Sequence, residues 1–254
     1  MQLITQLGDI MKVTAVKTRL IEANQYALTE FLSESLYSLN ENSIVAISSK
    51  VVSLCEGNVL PLNDLSKDQL IESEADIFIP KKYSKYGVYL TVKNGLLVPS
   101  AGIDESNTNG YYVMWPKDPQ KSANYCWEFL REKFRLKNIG VIITDSTTSP
   151  LKWGVTGKAI AHCGFVSVNS KIGEKDLFNK TLRQTRINVA DGLAASAVLC
   201  MGESVEQTPV AIIEDVPFVG FQNNVPTSAE LKALRIEIKD DLYAPLLEQA
   251  PWTD

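Results

Sequence analysis

The run SIVAISSKVVSL, residues 43–54, constrains this chain most: a stretch so rich in Ile, Val and Ala has almost no polar face to offer water. It suits a mostly buried strand, closed by the turn signal Glu56-Gly57-Asn58. IGVIITDSTTSP (139–150) and TPVAIIED (208–215) have the same character. The first of these delivers Asp145 at its carboxyl end, where Pro150 bars it from continuing as a central ladder member. MKVTAVKTRLI reads as a strand with Val13 and Ala15 alternating, and KYGVYLTVKNGLLV as a hairpin turning at Asn94-Gly95.

Helical spacing lies between these runs. Leu28, Phe31, Leu32 and Leu36 mark one helix over about 27–39. Asp118 as cap and Pro119 at the first helical position open a second, with Ala123, Cys126, Trp127, Leu130 and Phe134 along one side. A long helical segment is expected over 175–201, stopped by Gly202. IEIKDDLYAPLLEQ reads as a closing strand and a short helix. Strands and helices mix without a strict βαβ rhythm, so the fold class is α+β. The 254 residues read as one unit, residues 1–10 as an N-terminal extension. The only signals for a sub-domain division lie near residue 80 and in 215–227.

Several function classes fall away. The net charge of −5 argues against a nucleic-acid partner. No apolar run is long enough to span a bilayer, and MQLITQLGDIMKVTAVKT lacks the features of a secretory signal. The four cysteines, Cys55, Cys126, Cys163 and Cys200, are far apart and sit among apolar neighbours, which fits a reducing cytoplasm. The single histidine, His162, lies in the apolar run AIAHCGF and reads as a core residue. Neither G-x-x-x-x-G-K-[ST] nor G-x-G-x-x-G occurs.

Four polar features could carry chemistry. The loop VPSAGIDESNTNGYY, expected to be exposed, holds Asp104, Glu105 and Asn107. Asp145, Ser146, Thr147 and Thr148 end an apolar strand, and carboxylates and hydroxyls so placed suit Mg²⁺ or Mn²⁺. Each cluster is equally good turn or strand-end chemistry, and composition alone favours that structural reading. Glu203 follows a helix end, where the dipole disfavours an anion; a bound cation or full solvation would each offset this. Ser48-Ser49-Lys50 joins hydroxyls to a cation and suits phosphate, or is a solvated strand edge.

Taken in order, SSKVVSLCEGN, NGLLVPSAGIDESN, KDPQKSA, GVIITDS, WGVTGKAIAHCGF, ADGLAASAVLCMGE and TPVAII resemble the coenzyme F-420 gamma-glutamyl ligase family. The resemblance spans roughly residues 43–213. It implies an α+β fold in an intertwined homodimer that uses GTP or ATP and divalent metal, two ions of Mg²⁺ or Mn²⁺, to activate an acceptor carboxylate for attack by L-glutamate. Carried over by position, it implies metal ligation by Asp104, Asp145, Ser146 and Glu203. Nucleotide contacts are implied for Arg19, Leu20, Ile21, Ser49, Lys50, Asn107, Ser204, Val205, Glu206 and Gln207. Asp104 and Asp145 would supply charge and geometry, and Asp191 or Glu105 would take the amine proton.

The departures bear on the acceptor. Leu54 stands where the family has a lysine, Thr148 to Gly154 replace G-R-P-W-R-x-G, and the helix pattern loses two carboxylates at Gly192 and Val198. The form TSPL-x-WGVTG resembles a bacterial branch described as folate-metabolism gamma-glutamate ligases. The expected acceptor is therefore folate, a pterin with a terminal glutamate; the coenzyme F-420 precursor, another small carboxylate, or nucleotide binding without catalysis are the alternatives.

Overall fold

A computed structural model of the chain describes residues 10–253. In chain order the elements begin β1 (Lys12–Val16), α1 (Leu28–Ser35), β2 (Ser43–Ser48), α2 (Ser49–Glu56), β3 (Val59–Pro61), α3 (Lys67–Glu74) and β4 (Ile77–Ile79). Next come β5 (Leu90–Lys93), β6 (Leu96–Pro99), β7 (Tyr111–Val113), α4 (Pro119–Phe134), β8 (Ile139–Thr148) and β9 (Val155–Cys163). The chain closes through β10 (Val168–Ser170), β11 (Arg186–Asn188), α5 (Val189–Met201), β12 (Val210–Glu214), α6 (Ser228–Leu234) and α7 (Ala244–Leu247). The mixture is α+β, with a five-stranded sheet in the order β1-β12-β2-β8-β9 and three smaller sheets.

Period-two alternation assigns the two faces of the large sheet. Val45, Ile47, Val141 and Ile143 pack with Phe31, Leu32, Val52, Trp127 and Leu130 beneath α1, α2 and α4. Ile44, Ala46, Ile142 and Ile213 pack with Ala190, Leu193, Ala194 and Ala197 of α5 on the other face. Both faces being covered, the strands read as continuous apolar runs. A third cluster, with Leu70, Ile71, Phe78, Tyr89 and Ile103, joins residues from both sides of position 80. Phe78 and Tyr89 meet edge to face with centroids 5.7 Å apart.

Within the large sheet only β2 and β8 run parallel; Ser48 pairs with Thr144 where β2 ends. The β2 run therefore stops six residues earlier than its apolar sequence implies. From Ser49 the chain is helical, because α2 keeps Val51, Val52 and Leu54 buried while turning away from the sheet. β8 continues past this point to Thr148, paired with β9 alone. Asp145 consequently sits within a strand rather than at its end.

Other expectations are corrected. Helix α5 starts at Val189, where Asn188 accepts from the Asp191 N–H; residues 175–188 instead form turns and strand β11, which pairs with β10. Left-handed Asn179 (φ 63°) interrupts any helix there. Residues 236–249 contain a 3-10 turn and α7 but no strand. The sequence reading missed α6, although Thr227 and Glu230 form a full capping box. Cys200 is exposed, unlike the buried Cys126 and Cys163. The expected extension over residues 1–10 lies, but for Ile10, outside the described residues.

Candidate functional site

Where one of two parallel strands ends and turns away from its neighbour, a crevice opens beside the strand that continues, and flanking loops can line it. Beyond Ser48 of β2 and Thr144 of β8 the protein has such a cleft, about 350 Å³ in volume. Its floor is made by the start of α2 and by Asp145 and Ser146 of β8, and its walls come from the segments 18–21, 102–107 and 203–208.

The segment 100–104 carries one of the carboxylates. Ser100, Ala101 and Gly102 all have left-handed φ, between 53° and 70°. After this tight turn Asp104 exchanges backbone hydrogen bonds with Val113, at 3.0 and 2.8 Å. The loop is thus less exposed than expected, with Ala101, Ile103 and Thr108 buried. Lys50 Nζ, on the first turn of α2, lies 2.5 Å from Asp104 Oδ2 and donates to the Ser106 carbonyl at 3.0 Å. The Ser106 N–H and hydroxyl both donate to Asp104 Oδ1. Burial pushes the Asp104 carboxyl up, but Lys50 and Ser106 outweigh it and hold it below its ordinary value.

Asp145 lines the cleft and is half-buried. Burial pushes its pKa up to about 6; the Trp115 indole N–H and the Ser146 N–H act against this, and the charges of Asp104 and Glu203 add to it. Trp115 Nε1 donates to Asp145 Oδ2 at 2.6 Å. Glu203 enters the cleft directly after α5 ends at Gly202, and its Oε2 accepts from the Ser146 hydroxyl at 3.2 Å. Burial raises this carboxyl as well.

Hydrogen bonds between the walls fix their relative positions. The Thr18 N–H donates to the Gln207 carbonyl at 3.0 Å and Lys17 Nζ to the Glu206 carbonyl at 2.6 Å. Asn107 Nδ2 donates to the Ser204 carbonyl at 3.1 Å. The sequence-derived residues Arg19, Leu20, Ile21, Ser49, Lys50, Asn107, Ser204, Val205, Glu206 and Gln207 all line this cleft, as do Asp104, Asp145, Ser146 and Glu203. Arg19 contributes backbone rather than its charge: its guanidinium lies over the Tyr26 ring at 3.3 Å and pairs with Glu34 at 2.8 Å.

Asp191 and Glu105 stand outside the cleft lining. Asp191 accepts from the Ala159 N–H at 3.0 Å and pairs with Lys158, clamping α5 to β9. Glu105 pairs with Lys67 at 3.2 Å. Sequence reasoning missed Trp115, Gly102 and Ser106. Ser106 lay in plain view within the AGIDESN loop, whereas the Trp115–Asp145 contact spans thirty positions and leaves no local signal.

The donors Asp104, Asp145, Ser146 and Glu203 are all oxygens, the set a hard cation prefers. The three carboxylates raise one another's pKa or are held by Lys50, so added positive charge would find compensation here. Among the described residues, no three acidic, histidine or cysteine side chains are drawn together into a ready-made metal cage. Ligation would need these side chains to close in and Lys50 to yield its place beside Asp104. His162 takes no part: it is 1% exposed, packed against Phe165, with burial lowering its pKa to about 4.

The model of the F420-0:Gamma-glutamyl ligase family matches residues 15–215 of this chain. The chain is 35% identical over 228 residues to the Coenzyme F420:L-glutamate ligase of Methanococcus maripaludis strain C6, covering 82% of this chain and 89% of that protein. It is 32% identical over 216 residues to the protein of the same name from Methanocaldococcus jannaschii, covering 76% and 84%. For the Methanopyrus kandleri protein the identity is 32% over 203 residues, covering 73% and 79%.

Proposed function

The chain belongs to the F420-0:Gamma-glutamyl ligase family and is an amino-acid ligase forming gamma-glutamyl bonds, and on that premise we propose that it joins L-glutamate to the free carboxylate of an F420-type precursor at the expense of GTP or ATP. One observation carries the reading: Lys50, Asp104, Asp145 and Glu203 face a single cleft beyond the last paired residues of β2 and β8. The names of the relatives favour this acceptor over the folate expected from the branch resemblance.

In the proposed reaction the acceptor carboxylate oxygen bonds to the γ-phosphorus as the bridging bond to the nucleoside diphosphate breaks. The uncharged amine of glutamate then attacks the acyl carbon, inorganic phosphate leaves, and the amine proton passes to water. Two divalent ions, Mg²⁺ or Mn²⁺, held by Asp104, Asp145, Ser146 and Glu203, would neutralise phosphate charge. The first turn of α2, with Ser49 and Lys50, binds phosphate oxygens through N–H groups and the ammonium. Trp115 holds Asp145 in orientation. Asp191 and Glu105 are engaged elsewhere, and we assign the proton to neither.

A second reading, folate as acceptor, rests on the altered residues, of which Leu54 and Val198 line the cleft. Gly192 faces open space. A homodimer is supported by apolar side chains left outside, among them Leu151, Trp153, Leu177, Phe178 and Leu199. No helix among the described residues is long and apolar enough to cross a membrane, and we place the chain in the cytoplasm because its four cysteines are free. We treat residues 1–254 as one ligase unit.

The test is incubation with GTP or ATP, Mg²⁺ or Mn²⁺, L-glutamate and a panel of the F420 precursor and folates, followed by mass spectrometry. A single added glutamyl unit on the F420 precursor supports the proposal. Product from folates alone overturns the acceptor, and nucleotide binding without any product overturns catalysis.

A further inference from the structure

The three wall segments of the cleft are tied to one another in a cycle. The Thr18–Gln207 backbone bond joins the first wall to the third, and the Asn107 amide joins the second to the third. A pair outside the cleft lining closes the remaining side: Asn109 Nδ2 donates to Glu22 Oε1 at 3.1 Å.

The two anchors of this last tie differ. Glu22 belongs to a turn in which the Gln25 N–H donates to its carbonyl at 3.3 Å and its own N–H donates to Gln25 Oε1 at 3.2 Å. The Asn24 N–H secures the turn to the Leu54 carbonyl in α2 at 2.9 Å. Residues 105–110, by contrast, span the gap between the paired Asp104 and Val113. They are held together from inside, where the hydroxyl of buried Thr108 lies within hydrogen-bond distance of the Glu105 and Tyr111 carbonyls.

Asn107 and Asn109 both have left-handed φ, 55° and 50°, and send their amides to different walls. Asparagine enters this backbone region more readily than most side chains, so one residue type supplies both the turn and the donor. Both ties are single amide hydrogen bonds between exposed residues, weak enough to break and re-form as a lid moves.

On the reading that the cleft holds a nucleotide, we propose that Asn109 and Glu22 are positioning residues of the ligation. Their bond latches the 105–110 loop onto the 18–22 segment and keeps Asn107 in place while nucleotide is bound. Its opening sets how fast the spent nucleoside diphosphate leaves. Neither residue touches the reacting groups; the pair acts through Asn107 and the 18–21 segment.

The test is stopped-flow release of a fluorescent GDP or ADP analogue from the full chain in Mg²⁺, chased with unlabelled nucleotide. Asn109→Ala removes the donor, and Asn109→Asp sets two carboxylates against each other. Glu22→Gln/Asn109→Asp exchanges donor and acceptor, restoring the bond at the parent's net charge. Release is expected to quicken ~5-fold or more in Asn109→Ala and further in Asn109→Asp, and to return within ~2-fold of the parent in the exchanged pair. Melting temperatures should stay nearly unchanged throughout, which a merely structural pair would not allow. Parent-like release from both folded single variants overturns the latch, as does an exchanged pair that stays as fast as Asn109→Asp. A parent chain that binds neither analogue overturns the nucleotide reading itself and the latch with it, so the two failures are told apart.

Discussion

Trp115 holds Asp145 by an indole N–H···Oδ2 hydrogen bond of 2.6 Å, joining the chain ahead of α4 to the strand at the floor of the cleft. That bond opposes the effect of burial on the Asp145 carboxyl, whose pKa stands at about 6. Trp115→Phe keeps the ring and removes the donor. We expect Asp145 to become still harder to ionise and metal affinity to fall ~10–100-fold, as for other groups that orient a ligand. A Mn²⁺ titration of folded variant and parent checks this; equal affinities would separate Trp115 from the site.

The indole can approach only because residue 102 lacks a side chain. A Cβ on Gly102 would meet Trp115 Nε1 at 2.2 Å, and the residue has φ +70°. Gly102→Ala should therefore cost about 2–4 kcal/mol, combining overpacking with left-handed strain. Gly87, at φ +64° with nothing within 4 Å of where a methyl group would sit, carries the strain alone. Its Ala variant should lose only about 1–2 kcal/mol. Urea denaturation of the pair measures both, and similar losses would contradict the close approach.

Lys50 and Asp104 are both partly open to solvent, with side-chain exposures of 26% and 43%. Their pairing at 2.5 Å should add no more than about 1 kcal/mol to stability. Lys50→Gln is expected to leave the melting temperature nearly unchanged while weakening nucleotide binding by ~10-fold or more. Fluorescent-nucleotide titration beside thermal denaturation separates the two effects. A large stability loss with intact binding would make the lysine structural.

Buried His162 gives the chain an acid sensitivity outside the cleft. Burial lowers its pKa from 6.5 to about 4, with Glu230 opposing and Arg235 reinforcing the shift. Because the folded value is the lower one, the unfolded chain takes up its proton first as pH falls. This contribution to stability is present above pH 6.5 and is lost between 6.5 and about 4. The loss amounts to roughly 3 kcal/mol at most. His162→Gln should flatten the stability–pH curve in that window, as measured by denaturation at a series of pH values. An unchanged slope would assign the acid sensitivity to other groups.

Legibility followed the range of the interactions. Asn94-Gly95 and Asp118-Pro119 announce a turn and a helix start through their own backbone preferences, and the structure has both where the sequence puts them. The passage from strand to helix at Ser49 has no such mark, since Val51 and Val52 suit a buried strand as well as a buried helix face. Residues 175–188 carry helix-compatible side chains, but their contacts with β10 and the turn at Asn179 decide otherwise. In the cleft, Asp104, Asp145 and Glu203 were indistinguishable from turn and cap residues until the ordered resemblance joined them. Gly102 and Trp115 act across the fold, and their contact shows only once the chain has folded.

The central claim is that the carboxylates of this cleft act on nucleotide phosphates through a divalent ion during ligation. The most direct measurement is the rate of glutamyl transfer to the F420 precursor as Mg²⁺ or Mn²⁺ is titrated, in the parent and in folded Asp104→Asn and Asp145→Asn. The account predicts no product without metal and a loss of at least about 100-fold in each variant, several kcal/mol of transition-state stabilisation. Full metal-dependent transfer by either folded variant would contradict it.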